Sequence, residues 1–236
     1  MLVKKIIEYR ENNIVLEGCY FFDDSISKKR PAVLVAHDWS GRNNFAENKA
    51  EQLAKLGYLG FALDMFGKGK LGNTNEEKME LMKPLMDDRA LLLKRMLAAF
   101  DTIKKINEVD VDRIAAIGFC FGGLCALDLA RSGAELKGVV SFHGLLSPPP
   151  QKDKTISAKV LALHGNDDPM SASDAVLAFQ REMTEAKADW QMHIYGNAVH
   201  AFTNPLANDP GFGLVYNTLA DKRSWIAMKN FFEEIF

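Results

Sequence analysis

The chain has 236 residues, of which 47% are hydrophobic and 25% charged, the balance of an ordinary soluble globular protein. Its formal net charge is -2, with 29 basic against 31 acidic side chains, so no overall basic field attracts nucleic acid or anionic lipid. We therefore expect a single domain over residues 1–236 that acts on a small molecule, with neither nucleic acid nor a membrane as its partner.

Two further features bear on where the chain works. No apolar run reaches the roughly 18 residues of a spanning helix, and the first residues alternate apolar and charged side chains rather than forming a secretory signal core. The three cysteines, Cys19, Cys120 and Cys125, are an odd number without C-x-x-C spacing, which fits neither a disulfide framework nor a structural zinc site. These observations predict a cytoplasmic protein and leave room for one working thiol.

The first third of the chain predicts a hairpin followed by a βαβ unit. Residues 3–9 and 14–22 are rich in β-formers and are separated by a polar connection, which favours two antiparallel strands. An unbroken apolar run at 32–36 is typical of a parallel strand covered on both faces. A helix over 45–56, ended by Gly57, and a buried strand over 58–63 complete the unit.

Further along, strands and helices keep alternating. Residues 75–107 are helical in composition, and Pro84 predicts a break into two helices. The later patterns predict strands over 113–118, 138–142, 160–163 and 190–195, helices over 124–131 and 174–187, and an amphipathic terminal helix with Trp225, Met228, Phe232 and Ile235 on one face. This order predicts an α/β fold with a mostly parallel central sheet, helices on both faces and an antiparallel N-terminal hairpin. Two long stretches, 144–159 and 196–218, have no clear periodicity, and such loops are often functional.

The most informative pattern is a buried strand that runs directly into a turn and a helix. The letters GFCFG at 118–122 match the nucleophile elbow G-x-S-x-G, with Cys120 in the serine position. Because the turn is sharp, Gly118 and Gly122 leave the room that side chains would occupy. The helix N-terminus favours a thiolate at Cys120, and the backbone N–H of Phe121 can face a developing oxyanion.

Other interpretations of this turn remain open. Cys120 could be a small buried hydrophobe, with the glycines serving close packing between strand and helix. A glycine-rich turn before a helix could also cradle phosphate, but the G-x-G-x-x-G spacing and the GK[ST] ending are absent.

A cysteine nucleophile needs a base and a group that orients the base. Downstream, HGNDDP at 164–169 places Asp167 and Asp168 just past a strand, and His200 lies in the loop after the last predicted strand. Nucleophile, acid and histidine thus occur in the order of α/β-hydrolases, each at a strand end where open α/β folds bind ligands. Alternatively, the aspartates could cap the following helix and His200 could simply be solvated.

The histidines raise a metal alternative. His37, His143 and His164 each close an apolar strand, and three imidazoles could bind zinc. No two of them have the spacing of a familiar ligand motif, so we expect no metal and no other cofactor.

With these motifs in place, the chain resembles the dienelactone hydrolase family of α/β-hydrolases, in which cysteine replaces the usual serine. The resemblance runs from about Pro31 to the terminal helix. It rests on GFCFGG, VAHDWSG at 35–41, LDMFG at 63–67, FHG at 142–144 and the two downstream motifs. It implies the α/β-hydrolase fold, with Cys120 as nucleophile, His200 as base and Asp168, rather than Asp167, as the orienting acid.

The resemblance also implies parts of the substrate pocket. The backbone N–H groups of Phe121 and Trp39 would form the oxyanion hole. Asp38 stands where the family has a glutamate near the thiol, and Asn204 stands where it has a substrate-binding arginine. The predicted substrate-binding residues are Asp38, Phe66, His143 and Phe202.

The leading hypothesis is a carboxylic ester hydrolase that cleaves a small ester, dienelactone-like lactone or thioester through an acyl-cysteine. A noncatalytic ligand-binding or thiol redox-sensing protein on the same fold is the alternative. Acyl transfer or peptide cleavage by the same triad is a third hypothesis.

Overall fold

The computed structural model of the protein describes residues 1–150 and 155–236. The chain divides into two compact units, Met1–Ile117 and Gly118–Phe236. The strand β5 (Val109–Phe119) runs from the first unit into the second. Whether residues 1–236 act as one domain stays a prediction.

The first unit begins with an antiparallel hairpin, as the sequence predicts. β1 (Leu2–Glu11) and β2 (Ile14–Asp23) pair along their whole length, from Leu2 opposite Asp23 to Glu11 opposite Ile14. Asn12 adopts a left-handed φ of +48° in the two-residue turn, a conformation that asparagine tolerates better than most residues.

A parallel βαβ unit follows the hairpin. β3 (Arg30–Ala36) and β4 (Leu59–Ala62) pair in parallel, and α1 (Asn44–Lys55) connects them. The strand order in this unit is β1-β2-β4-β3-β5, with β2 antiparallel to β4. β3 is almost entirely buried, which is why its sequence lacks polar alternation.

The two predicted helices after β4 are present, but they do not separate at Pro84. The helices are α2 (Asn75–Asp87) and α3 (Arg89–Ile103), and Pro84 lies inside α2. The break falls at Asp88, whose side chain accepts from Leu91 N and caps α3, while its own N–H donates to Pro84 O. Proline removes a single N–H donor, whereas an aspartate cap satisfies the start of a new helix.

The second unit contains the later strands and helices. Its regular elements are α4 (Phe121–Arg131), β6 (Gly138–Phe142), β7 (Lys159–Gly165), α5 (Ser173–Glu185), β8 (Trp190–Tyr195) and α6 (Thr218–Ile235). β6, β7 and β8 are neighbours in that order and pair in parallel. The mostly parallel α/β architecture with an antiparallel N-terminal hairpin is therefore confirmed.

The long stretch after β8 has more structure than its sequence indicates. β9 (Asn208–Asp209), a 3-10 helix (Pro210–Phe212) and β10 (Leu214–Val215) form a small antiparallel ribbon. Strands of two residues are too short to produce a periodic sequence pattern, which explains why they escaped sequence analysis. None of the described helices combines the length and apolar character that crossing a membrane requires.

Candidate active site

The candidate nucleophile lies on a sharply bent backbone between β5 and α4. Cys120 has φ +56° and ψ -118°, values that a residue with a side chain seldom adopts. A Cβ on Gly118 would lie 1.8 Å from Gly122 O, so the turn can close only because residue 118 is glycine. Cys120 N donates to Phe142 O at 3.0 Å, which ties the turn to the end of β6. The local geometry is thus that of a nucleophile elbow.

The environment of the three thiols differs. Cys19 and Cys125 are buried, whereas Cys120 is partly exposed. Burial raises the pKa of Cys19 to about 12, which keeps that thiol protonated and inert. α4 begins at Phe121, so Cys120 stands at the positive end of its helix dipole.

The predicted acid and base are in direct contact. His200 Nδ1 and Asp168 Oδ2 are 2.7 Å apart, and both side chains are completely buried. Asp168 Oδ1 accepts from Met170 N at 2.8 Å, which holds the carboxylate in place. A buried carboxylate bonded to one ring nitrogen sets the tautomer of the imidazole and leaves Nε2 for chemistry.

Electrostatics favour a protonated His200. Burial lowers the pKa of His200, but the charge of Cys120 and the hydrogen bond to Asp168 oppose it and raise the pKa to about 10. His200 Nε2 is also buried, and Cys120 is close enough for its side chain to act on this ring. The arrangement therefore favours the imidazolium form of His200.

The loop that carries Asp168, here called the acid loop, and the loop that carries His200, the histidine loop, are joined by backbone hydrogen bonds. Asn166 N donates to Tyr195 O at 2.9 Å, and Asp167 N donates to Ala198 O at 3.0 Å. A Cβ on Gly165 would lie 2.5 Å from Ala198 O, so glycine is needed where the loops approach each other. Gly165 belongs to the HGNDDP motif, but its contact partner lies 33 positions later and sequence reasoning missed it.

Two other predicted histidines lie near this pair. His164, at the end of β7, is buried, and burial lowers its pKa while Asp168 opposes that shift. His143 follows β6, and its ring centroid lies 5.2 Å from that of His200. His143 also packs edge to face on Phe202, which is completely buried. The predicted substrate-binding roles of His143 and Phe202 stay predictions.

The remaining predicted site residues belong to the first unit. Asp38 Oδ1 accepts from Ser40 N at 2.8 Å, so this carboxylate shapes the loop after β3 that carries Trp39. Phe66 is buried and its ring centroid lies 4.7 Å from that of His37. Their parts in substrate binding, and that of the Trp39 amide in the oxyanion hole, also stay predictions.

The metal alternative concerned the strand-end histidines His37, His143 and His164. Within residues 1–150 and 155–236, no group of three or more His, Cys, Asp or Glu side chains could hold a metal ion. His37 is engaged instead in its own unit, where its Nε2 accepts from Met65 N at 3.1 Å.

Comparison with a solved structure shows the fold of this protein. The crystal structure of dienelactone hydrolase from Anabaena variabilis aligns with 97% of this chain and over 98% of its own chain. The TM-score is 0.69 and the sequence identity is 20%, a likeness that shows the fold. This likeness and the elbow geometry at Cys120 show the α/β-hydrolase fold.

The family model of the dienelactone hydrolase family matches residues 17–236, and the chain belongs to that family. It is therefore a hydrolase. The structure named m3DLH is 41% identical, covers 100% of this chain and 99% of its own, and has a TM-score of 0.95. A dienelactone hydrolase-like promiscuous phosphotriesterase from metagenomic libraries is 38% identical with the same coverage and a TM-score of 0.96. A Bradyrhizobium sp protein named "Probable 2-oxo-3-(5-oxofuran-2-ylidene)propanoate lactonase" is 28% identical over 85% of this chain and 82% of its own.

Proposed function

We propose that this hydrolase cleaves a small ester, lactone or thioester through a Cys120–His200–Asp168 triad and an acyl-cysteine intermediate. The observation that carries the proposal is the completely buried 2.7 Å hydrogen bond between His200 Nδ1 and Asp168 Oδ2, in the same unit as the strained elbow residue Cys120. A hydrogen bond of this kind orients a base toward a nucleophile.

In the first half of the reaction, the Cys120 thiolate attacks the carbonyl carbon. The new S–C bond pushes an electron pair onto the carbonyl oxygen, and backbone N–H groups stabilise the resulting oxyanion. Phe121 N–H, at the first position of α4, is a predicted donor. When the intermediate collapses, the bond to the leaving alkoxide or thiolate breaks and His200 donates its proton to that group.

In the second half, water releases the acyl group. Neutral His200 removes a proton from water, whose oxygen attacks the acyl-cysteine carbonyl. The S–C bond breaks, the carboxylic acid leaves, and the thiolate and imidazolium are restored. Asp168 stays ionised throughout and stabilises the imidazolium each time it forms.

The histidine loop favours a substrate without a carboxylate next to the scissile bond. Asn204 stands at the position where the family resemblance places an arginine, and its side-chain Oδ1 accepts from Leu206 N at 3.0 Å within its own turn. This side chain brings no positive charge to the loop. We therefore expect neutral esters and lactones to react faster than substrates that carry a free carboxylate.

The test is a panel of short esters, thioesters and lactones, dienelactone included, assayed with the wild type and with Cys120→Ala. We expect the substitution to abolish turnover, and we expect mass spectrometry of rapidly quenched wild type to find an acyl adduct on Cys120. Turnover that survives Cys120→Ala would rule out the cysteine mechanism. Product analysis with amine and alcohol acceptors separates hydrolysis from acyl transfer and peptide cleavage, and no turnover of any substrate would favour the ligand-binding or redox-sensing alternative.

Phosphotriester hydrolysis is a second candidate, favoured by the 38% identical structure described as a promiscuous phosphotriesterase. Here the thiolate would attack phosphorus, and the aryl oxide would leave with the proton of the His200 imidazolium. Neutral His200 would then take a proton from the water whose oxygen displaces the thiolate and breaks the S–P bond. An aryl dialkyl phosphate assayed beside the esters tests this. If both activities share one site, Cys120→Ala removes both.

A further inference from the structure

His143 connects the end of β6 to the loop that carries His200. Its side chain is buried, and its backbone φ of +38° lies in the left-handed region that residues other than glycine seldom adopt. Its N–H donates to Leu163 O at 2.8 Å, so β7 holds this unusual backbone in place. A conformation of this kind persists only where the surrounding structure enforces it.

The side chain of His143 bonds to Thr203. His143 Nε2 and Thr203 Oγ1 are 2.7 Å apart, and Thr203 is completely buried. Thr203 lies three residues after His200, beyond Ala201, which has a left-handed φ of +57°. The bond therefore fixes a strained turn immediately after the catalytic histidine to the rigid end of a central strand.

The rings around His200 are also in contact. The centroid of the His143 ring lies 5.2 Å from that of His200, with an interplanar angle of 66°. It lies 5.0 Å from that of Phe202, with an interplanar angle of 80°. His200 is thus held by Asp168 through a hydrogen bond at Nδ1 and by His143 through a ring contact.

We propose that His143 is a positioning residue, which acts together with Thr203 to hold the His200 imidazole with Nδ1 toward Asp168 and Nε2 toward the reacting atoms. This inference rests on the proposed function, because His200 must be the base for its orientation to matter. His143 itself then touches neither substrate nor reacting atoms. Its role differs from the substrate-binding role that the sequence predicts.

The kinetic test removes the hydrogen bond while preserving shape. We expect Thr203→Val to lower kcat roughly 10- to 100-fold with little change in KM, because a displaced base loses the geometry of the transition state. His143→Phe keeps a ring but loses the bond and should cause a similar loss. The double variant should lose little more than either single variant, since both remove one interaction.

Two variants serve as controls. Thr203→Ser keeps the hydroxyl and should keep most of the activity, and His193→Phe changes an exposed histidine on β8 and should leave kcat unchanged. Near-ultraviolet circular dichroism checks that each variant is folded. If Thr203→Val and His143→Phe are folded and retain wild-type kcat, or if folded Thr203→Ser loses as much activity as Thr203→Val, the proposal is wrong.

A second readout does not depend on any ester. The rate of Cys120 alkylation by iodoacetamide, measured against pH, reports how well the imidazolium stabilises the thiolate, and Cys120→Ala supplies the blank. We expect Thr203→Val and His143→Phe to move the alkylation midpoint to higher pH, while Thr203→Ser and His193→Phe leave it in place. A shifted midpoint without ester turnover by the wild type would retain the positioning role and reject hydrolysis. The opposite result would be ester turnover that depends on Cys120 while the Thr203 and His143 variants keep the wild-type kcat and alkylation midpoint. That result would support hydrolysis and reject the positioning role.

Discussion

His200 Nδ1 lies 2.7 Å from Asp168 Oδ2, and neither side chain is accessible to solvent. A charged pair in such a position has lost its hydration, so each partner depends on the other for its stability. The contact therefore couples the chemistry of the site to the stability of the second unit.

Asp168→Asn should nearly abolish catalysis without unfolding the protein. An amide preserves the shape of the side chain but favours the wrong tautomer of His200 and removes the charge that stabilises the imidazolium. We expect kcat to fall by about 10⁴-fold, the scale typical of this substitution in a catalytic triad. Steady-state kinetics on the best substrate of the ester panel measures it.

The matched control is Asp167→Asn, one position earlier. Asp167 is exposed, and its carboxylate accepts a local hydrogen bond from Asn166 Nδ2 at 2.7 Å. Its kcat should stay within about twofold of wild type. If the two asparagine variants lost activity equally, Asp168 would not be the orienting acid.

The pKa of His200 predicts how stability depends on pH. Because the folded protein raises this pKa from 6.5 to about 10, the protonated side chain stabilises the native state. This contribution is complete below about pH 6.5 and is lost as the pH rises through 10. The free energy of unfolding, measured with urea, should decrease between pH 7 and pH 10 in the wild type. In His200→Gln this decrease should be smaller.

Cys120→Ala provides an independent check on the cause of that shift. The charge of Cys120 contributes to the raised pKa of His200, so without the thiol the loss of stability should begin at lower pH. An identical pH profile in the wild type and in Cys120→Ala would mean that the thiolate does not stabilise the imidazolium.

Gly118→Ala should disrupt the elbow. The new methyl group would lie 1.8 Å from Gly122 O, a distance that only a movement of β5 or α4 can relieve. We expect a loss of about 2–4 kcal/mol in the free energy of unfolding together with loss of esterase activity. Gly196→Ala is the control, because nothing lies within 4 Å of a Cβ there, and its Tm should be unchanged. A Gly118→Ala protein of wild-type stability would contradict the close approach at the turn.

Arg131→Met should destabilise the second unit. The buried Arg131 guanidinium bonds to Asp128 and Glu182 and to the carbonyl oxygens of Leu146 and Ser147, which fixes α4 to α5 and to the loop after β6. Removing it leaves two carboxylates with little solvent access, and we expect a cost of about 3–5 kcal/mol in urea unfolding.

A surface ion pair provides the comparison for Arg131. Lys83 and Asp87 are both well exposed, so Lys83→Met should change the free energy of unfolding by no more than about 0.5 kcal/mol. Equal effects of the two substitutions would show that the buried network around Arg131 adds nothing beyond an ordinary surface charge.

Sequence reasoning succeeded where the signal is local. The hairpin, the parallel strands and the elbow each arise from residues close together in the chain, such as Gly118 beside Cys120 or the apolar run of β3. The predicted position of the break between α2 and α3 was wrong, because α2 tolerates Pro84 in its interior. The Asp88 cap determines where α3 begins. The small ribbon after β8 was missed because two-residue strands have no period.

By itself, the amino-acid sequence determined the fold class, the elbow and the chain order of the candidate nucleophile, acid and histidine. The family resemblance implied Asp168 rather than Asp167 as the orienting acid. Tertiary structure alone decided that Asp168 Oδ2 lies 2.7 Å from His200 Nδ1 and that His143 bonds to Thr203 across 60 positions. The physical reason is that local motifs depend on backbone sterics and periodicity within a few residues. Contacts between loops depend instead on how neighbouring strands align, and the sequence of neither loop determines that alignment.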